Sequence, residues 1–508
     1  MNLVNVLSPL RIVACAFLIH VCLAPGEASA FGVKKLFGLP GTPNHELITR
    51  AGLTGVMPLH LSSGQVVMFT PAAITQIADA NVSTDSVYAV FPSRHFDEES
   101  FGGGQSLLVS ERDEIVRKLI LAKDDGDEAR HLLGRALHTL QDFYAHSTWV
   151  EVGHTGTAPL GQRGISIPHA DLFTHVCDRF GVLSGRALTS DYWTSSNLLG
   201  WKDYDLVIAL GTGVHKCGHG NGDKCNDPTK CPGDFDKDGH LLTDAGGINK
   251  DTDERAHFVE ALLLARESSA EYVEHILSDV GTDMDATVRK CKLMGQSCYI
   301  LFLQKGAIGS GTIVVSDPPA MDINKSCGVD CSLVVRSGTL ITLEAKADPG
   351  FEFLGWSEDC AAQGTTNPVR VTFSSLTLCK ANFGVLPTVH FKPYGSHNVA
   401  GGPFYVELVD AAALSPITAS QDVTVTVLRQ VYTCDPPRLR FSSNRVIAIP
   451  AGLSVSADLT GYVAGRDPLC SPSLPARTDL IIMEATLGTR KLTIDSVPEA
   501  QRKVFITR

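Results

Sequence analysis

The segment HTLQDFYAHS sets His138, Asp142 and His146 at steps of four residues. On a helix, positions four apart are displaced by about 40°, so the three side chains share a stripe roughly 80° wide. Leu132, Ala136 and Ala145 lie on the same side, which marks that side as the inward one. An unpaired aspartate buried there costs several kcal/mol. A metal ion removes that cost, because imidazole and carboxylate are good zinc ligands. Taken alone, three residues fit equally well a helix whose His and Asp pair with each other or face solvent.

Further segments add to the constellation. His45 sits in PNHELITRAGL. HELIT begins like the zinc-protease motif His-Glu-x-x-His, but Thr49 stands at the second ligand position, so that reading fails there. His95 lies in SRHFDEESF beside Asp97, and ADANVSTDS with Asp79 and Asp85 precedes it. His257 opens AHFVEALLLARES. Each is more often a core or surface histidine when alone, but four segments with a His beside a helix start or a turn suggest convergence. A separate loop, GDFDKDGHLLTDAG, carries Asp234, Asp236 and Asp238 before Gly239 and resembles the start of an EF-hand calcium loop. Its twelfth position is Ala245 where a bidentate Glu is needed, so a weak Ca2+ site competes with a solvated acidic turn. No Gly-x-Ser-x-Gly elbow is present, which leaves a serine-esterase route little support.

The elements that must position these residues change character along the chain. RDEIVRKLILAKDDGDEARHLLGRALHTLQDFYAHSTWV and DERAHFVEALLLARESSAEYVEHILSDV have apolar residues at steps of three and four, the helix period. Thr42-Pro43 reads as another helix start. After about residue 284 the pattern becomes alternating, as in TIVVS, TLITLEAKA and VTVTVLRQVYT, which predicts strands. A second boundary falls where Phe383-Gly384 leads into Leu386-Pro387. The expected fold class is multidomain α + β: an all-α domain over 31–283, a small all-β module over 284–384 and a β-sandwich, immunoglobulin-like, over 385–508.

Composition sets the compartment. With 508 residues the chain exceeds one core, and 44% hydrophobic against 19% charged residues marks it as globular. MNLVNVLSPLR, an apolar run and Ala28-Ser29-Ala30 read as a secretory signal peptide cleaved after Ala30, giving a secreted or periplasmic protein. No later apolar stretch is long enough for a transmembrane segment. Of 14 cysteines, Cys15 and Cys22 lie in the signal. The rest suggest disulfides: Cys327 with Cys331, Cys360 with Cys379, Cys434 with Cys470, Cys291 with Cys298, and two pairs among Cys177, Cys217, Cys225 and Cys231. A net charge of −12 argues against a large nucleic-acid interface, though a small metal-assisted phosphodiester site stays compatible with it.

LGRALHTLQDFYAHSTWVE resembles the signature helix of the Het-C family. Together with ANVSTDS, HFDEESF, KCGHGNGD and GGINKDT, it also resembles the N-terminal domain of the von Willebrand factor A domain-containing protein 7 family, over roughly residues 40–280. These families are similar to the zinc-dependent phospholipase C and P1 nuclease superfamily, whose helical domain holds two or three Zn2+ ions. The resemblance implies His45 as the early histidine, Asp85 (with Asp79 as its rival) as the aspartate before the His-Phe segment, and His95 as that segment's ligand. It further implies His138 and Asp142 as a pair with Asp142 bridging two metals, and His146 with His257 on the remaining ion. In the phospholipases the freed N-terminal residue binds zinc through its backbone, which here would be Phe31, fourteen positions before His45. Two departures stand out. The carboxylate four residues after the last histidine is replaced by Ala261, with only Glu260 and Asp253 nearby, and the step from Asp142 to His146 is shorter than in the phospholipases.

Residues 299–384, with GSGT, FLGWS around Trp356 and the closing ANFG, resemble the bacterial repeat related to the internalin B-repeat, a spacing or adhesive module. The implied function is an exported zinc hydrolase of the phosphoesterase kind, with Asp85 and Asp142 catalytic, a phospholipid or other phosphodiester as substrate, and β modules contacting a cell-surface or envelope component. The alternative is a non-catalytic interaction protein with a structural metal.

Overall fold

The computed structural model describes residues 44–88, 91–121, 125–171, 173–177, 186–192, 216–217, 234–235, 241–242, 248–251, 256–316, 324–327, 330–393, 395–398, 403–411, 413–432, 438–459, 477–495 and 497–507. Two compact units divide at Cys298, with Ser62–Gly64 grouped with the second. The first is helical: α1 (Asn44–Gly55), α2 (Pro71–Tyr88), α3 (Pro92–His95), α4 (Phe101–Leu121), α5 (Asp127–His146), α6 (Phe258–Asp279) and α7 (Met284–Leu293). Two short hairpins, β1 (Leu59–His60) with β2 (Val66–Val67) and β3 (Asp234–Phe235) with β4 (Leu241–Leu242), accompany them. No described helix is long and apolar enough to cross a membrane.

Helix α5 is the hub. Gly126 in the left-handed conformation starts it, and Asp127 and Glu128 in the first turn suit the positive end of its dipole. From Ala136 to His146 every residue is buried, because α2, α4 and α6 all pack on it. Close approach to α2 depends on Gly134. A Cβ there would lie 2.3 Å from the Ile77 carbonyl oxygen and 2.9 Å from the Asn81 nitrogen. Helix α1 crosses α6 at Gly52, where a Cβ would sit 3.0 Å from the Ser269 Cβ.

The switch from helix to strand, expected near residue 284, comes at Cys298. Asp283 caps α7 through the Ala286 N–H, so the last helix of the first unit runs from Met284 to Leu293. Asp283-Met-Asp-Ala supplies that helix start.

The second unit carries two hydrophobic cores. The first lies between two four-stranded sheets. One has the order β10 (Phe351–Glu358), β12 (Thr377–Val385), β5 (Cys298–Lys305) and β8 (Asp330–Arg336). The other has the order β11 (Val369–Thr372), β9 (Leu340–Ala347), β6 (Gly311–Ser316) and β7 (Asn324–Cys327). Trp356 is buried in this core, its indole N–H donating to the Thr366 carbonyl. The second core is built by the hairpin β13 (Pro387–Lys392) with β15 (Tyr405–Asp410) and by a six-stranded sheet. That sheet runs β14 (Gly395–Asn398), β20 (Lys503–Thr507), β18 (Arg477–Leu487), β16 (Val423–Tyr432) and β17 (Leu439–Ile449), with β19 (Arg490–Lys491) on β18. The β14–β20 pair is parallel.

Disulfides join Cys177 to Cys217, Cys291 to Cys298 and Cys360 to Cys379, and Cys331 is disulfide-bonded too. Cys225, Cys231, Cys434 and Cys470 lie outside the described residues, as do Phe31, Asp236 and Asp238. Asp234 is in β3.

Candidate metal centres

One stripe of α5 feeds two clusters of buried donors. His138 and Asp142 enter the first, and His146, one turn on, enters the second. The close crossing at Gly134 brings Asn81 and Asp85 of α2 against His138. The one-turn helix α3, with Pro92 at its start, delivers His95, and α1 delivers His45.

In the first cluster Asp142 is central. Its Oδ1 lies 3.1 Å from His45 Nε2, while its Oδ2 lies 2.7 Å from His95 Nδ1 and 3.1 Å from His138 Nε2. His138 Nε2 is also 3.3 Å from Asp85 Oδ1 and 3.3 Å from His95 Nδ1. The outer nitrogens explain the arrangement. Gln141 donates through its amide nitrogen to Thr49 and Ser269, so its Oε1 accepts from His45 Nδ1 at 2.7 Å. Asn81 donates to Thr49 and Gln141, so its Oδ1 accepts from His138 Nδ1 at 3.2 Å. The Tyr88 carbonyl accepts from His95 Nε2 at 3.2 Å. Each ring therefore commits one N–H outward and turns its other nitrogen toward Asp142. This is how outer hydrogen bonds fix the tautomer of a metal-binding histidine.

Two donor sets, His45–His138–Asp142 and Asp85–His95–His138, each have ligand atoms within 4.8 Å of one another. Asp142 Oδ1 and Asp85 Oδ1 are buried and receive no hydrogen bond. A divalent cation fits both facts, since it accepts the inward lone pairs and satisfies the oxygens. Without one, the site must hold protons. Burial pushes the His138 imidazole down, but the Asp142 and Asp85 carboxylates more than reverse that and raise it to about 10. Burial likewise pushes Asp142 up, and His138 and His45 carry it well below the usual carboxylate range.

In the second cluster, His146 Nδ1 lies 2.7 Å from Asp97 Oδ1 and 3.9 Å from Asp191 Oδ1, and its Nε2 lies 3.6 Å from Asp251 Oδ1. The end of α5 positions these carboxylates. Its last carbonyls have no intrahelical partner. The His146 carbonyl accepts from the Asp191 N–H, and the Ala145 carbonyl accepts from the Lys250 N–H, both at 3.0 Å. Asp97 follows His95 in a segment where Phe96, Glu98 and Glu99 all have φ between 55° and 61°. Non-glycine residues rarely hold that conformation. Glu99 anchors it, its Oε2 accepting from the Ser190 N–H at 3.2 Å and its Oε1 from Lys216 Nζ at 3.0 Å. Burial pushes the Asp191 carboxyl well above its ordinary range, and Asp97 adds to that.

Five of the expected ligands, His45, Asp85, His95, His138 and Asp142, thus meet in one cluster. Asp79 does not join it, being exposed on the outer side of α2. His146 is a donor, but of the neighbouring cluster. The expectation for His257 is corrected: it is exposed and forms the left-handed N-cap of α6, where the inward face begins only at Phe258 and Ala261. The acidic groups around His146 that sequence reading missed are Asp97, Asp191 and Asp251. Asp97 stood two residues from a predicted ligand and was noted only as its neighbour. Asp191 and Asp251 lie outside any helix and carry no periodic signal.

Residues 56–285 match the family model described as the VWA7 N-terminal domain, a span that holds every donor above except His45. Residues 325–385 match the divergent InlB B-repeat domain. Among curated proteins, the chain is 32% identical over 192 residues to von Willebrand factor A domain-containing protein 7 of Homo sapiens, covering 36% of this chain and 18% of that protein. The Mus musculus protein of that name is 40% identical over 91 residues, covering 17% of this chain and 10% of its own length. The chain thus spans only 18% and 10% of the lengths of these two relatives. Among solved structures, a DUF3823 family protein from Parabacteroides merdae ATCC 43184 aligns over 41% of this chain and 98% of its own at 10% identity, with a TM-score of 0.13, too low to assign a fold.

Proposed function

We propose that the helical unit is a zinc-dependent phosphoesterase of the phospholipase C and P1 nuclease kind, with His45, Asp85, His95, His138 and Asp142 as its metal ligands. One observation carries this reading: three imidazoles fixed from outside by Gln141, Asn81 and Tyr88 all direct a nitrogen at Asp142. Zinc held by these residues would supply Lewis-acid chemistry for a phosphodiester: it would polarise the ester oxygens and acidify a bound water.

The chain's own residues define where a substrate enters. Asp85, with a side chain 16% exposed, is the most open member of the cluster. On the same helix turn as His138, Arg135 pairs with Glu111 at 3.0 Å and reaches toward the Tyr88 hydroxyl at 3.5 Å, and its side chain is 33% exposed. A guanidinium suits a phosphate oxygen. Asp85 is then the residue placed to hold or take a proton at the mouth of the site. The disulfides support export to an oxidising compartment. The B-repeat-like module supports a holding role at a cell surface or envelope.

A second reading keeps the metal and drops the hydrolysis. It is favoured by burial: His45, His138 and Asp142 are at most 1% exposed. The test is metal analysis of the purified chain, followed by assays on a phospholipid headgroup substrate and single-stranded nucleic acid, with Asp142→Asn as control. Zinc with turnover that Asp142→Asn abolishes supports the enzyme. Zinc without turnover on either substrate supports the structural metal.

A further inference from the structure

His146 leaves the histidine cluster and enters one of opposite composition. Around this single imidazole stand Asp97, Asp191 and Asp251, all less than a tenth exposed. Three buried carboxylates crowd a single imidazole, which cannot pair all of their oxygens, and a cation would serve the rest. The nearby buried lysines do not supply it. Lys250 Nζ donates to the Ser147 and Ile248 carbonyls and to Glu151, and Lys216 Nζ donates to Glu99 and the Asp171 carbonyl. Asp191 is wholly buried, and neither of its oxygens receives a hydrogen bond. The fold nevertheless clamps it in place through the His146 carbonyl, Ser190 and Glu99.

The geometry points to a second cation centre, formed by His146, Asp97 and Asp191 with Asp251 beside the far nitrogen of His146, that takes an oxygen-preferring divalent cation of the Mn2+ class. The three ligand atoms lie within 4.8 Å of one another. Two carboxylates favour harder cations than the three imidazoles of the first cluster do, and the one imidazole favours Mn2+ over Mg2+ or Ca2+. Asp251 takes the place of the carboxylate that orients a ligating histidine through its other nitrogen. This centre does not require the histidine cluster to be catalytic, so the two proposals fail separately.

The test uses the full chain stripped with a chelator and titrated with Mn2+, read by loss of the free Mn2+ paramagnetic signal and by thermal unfolding. Asp191→Asn should weaken Mn2+ binding by roughly tenfold or more, whereas His45→Ala should leave it within about twofold. Unfolding adds a second test. Asp191→Asn keeps the shape of the neutral, buried acid and removes a cation ligand, so it should leave the melting temperature of the metal-free protein nearly unchanged and lower that of the Mn2+-loaded protein relative to wild type. Mn2+ binding unaffected by Asp191→Asn, or a melting temperature lowered equally with and without Mn2+, overturns the proposal. Should Asp191→Asn fail to fold, Asp97→Asn takes its place with the same two outcomes.

Discussion

The two clusters at the end of α5 share a helix and differ in charge balance. The first sets three imidazoles against two carboxylates, the second one imidazole against three. The first also has a finished outer layer, in which Gln141, Asn81 and the Tyr88 carbonyl fix each ring. The second instead has Asp191 pinned to the His146 carbonyl, Lys250 beside Asp251 pinned to the Ala145 carbonyl, and Asp97 held by its N–H to the Pro92 carbonyl. A four-residue step along one stripe therefore moves a ligand from a nitrogen-rich site to an oxygen-rich one. Helix geometry places a donor, but what its neighbours contribute decides which ion it suits.

The largest effect that tests this contrast should come from Asp142→Asn. It removes the charge on which all three imidazoles converge, and breaking a buried ion pair costs about 3–5 kcal/mol. Metal content measured by mass spectrometry should fall at the histidine cluster, while Mn2+ binding at His146 persists. Loss of both together would show that the clusters are one centre. Next in size is Gly134→Ala. Its methyl would meet the Ile77 carbonyl and Ala80, and overpacking of this kind costs about 1–3 kcal/mol. The strain falls on the α2 crossing that carries Asn81 and Asp85, so denaturant unfolding should show the loss and zinc affinity should drop more than Mn2+ affinity. Gln141→Leu should follow, with zinc weakened roughly 10–100-fold through the freed His45 ring and little change at His146.

The contrast also explains what could be read from the chain alone. The donors of the first cluster lie on helices or beside helix starts: His138 and Asp142 announced themselves by their step of four and His45 by the Thr42-Pro43 helix start, while His95 was reached through the resemblance of its His-Phe segment. The second cluster is assembled at a helix end. Asp191 and Asp251 arrive because unsatisfied carbonyls at Ala145 and His146 capture whichever segments fold back over them. No local pattern records that event, and the family resemblance put His257, at the start of the last long helix, in their place. The helical unit and the β modules were legible because burial forces a period of about 3.6 on one and 2 on the other. The helix Met284–Leu293 escaped because it is short and polar, with only Ala286, Cys291 and Leu293 buried.

The smallest effect is a change in pH slope, and its sign separates the metal-free from the loaded state. In the metal-free protein the Asp142 and Asp85 carboxylates overcome burial and raise His138 to about 10, above its ordinary value of about 6.5. A raised imidazole stabilises the fold fully below the unfolded value, and that contribution is lost as pH rises through the folded one. The metal-free chain should therefore lose melting temperature between about pH 7 and pH 10. With metal bound, His138 serves as a neutral ligand, so this decline should flatten. Acidification below about pH 6.5 should instead release the ion as imidazoles protonate. Release should be steeper at the histidine cluster, which offers the ion three imidazole nitrogens, than at the second, which offers one. Equal slopes for zinc and Mn2+ release would mean that both ions sit among the same ligands.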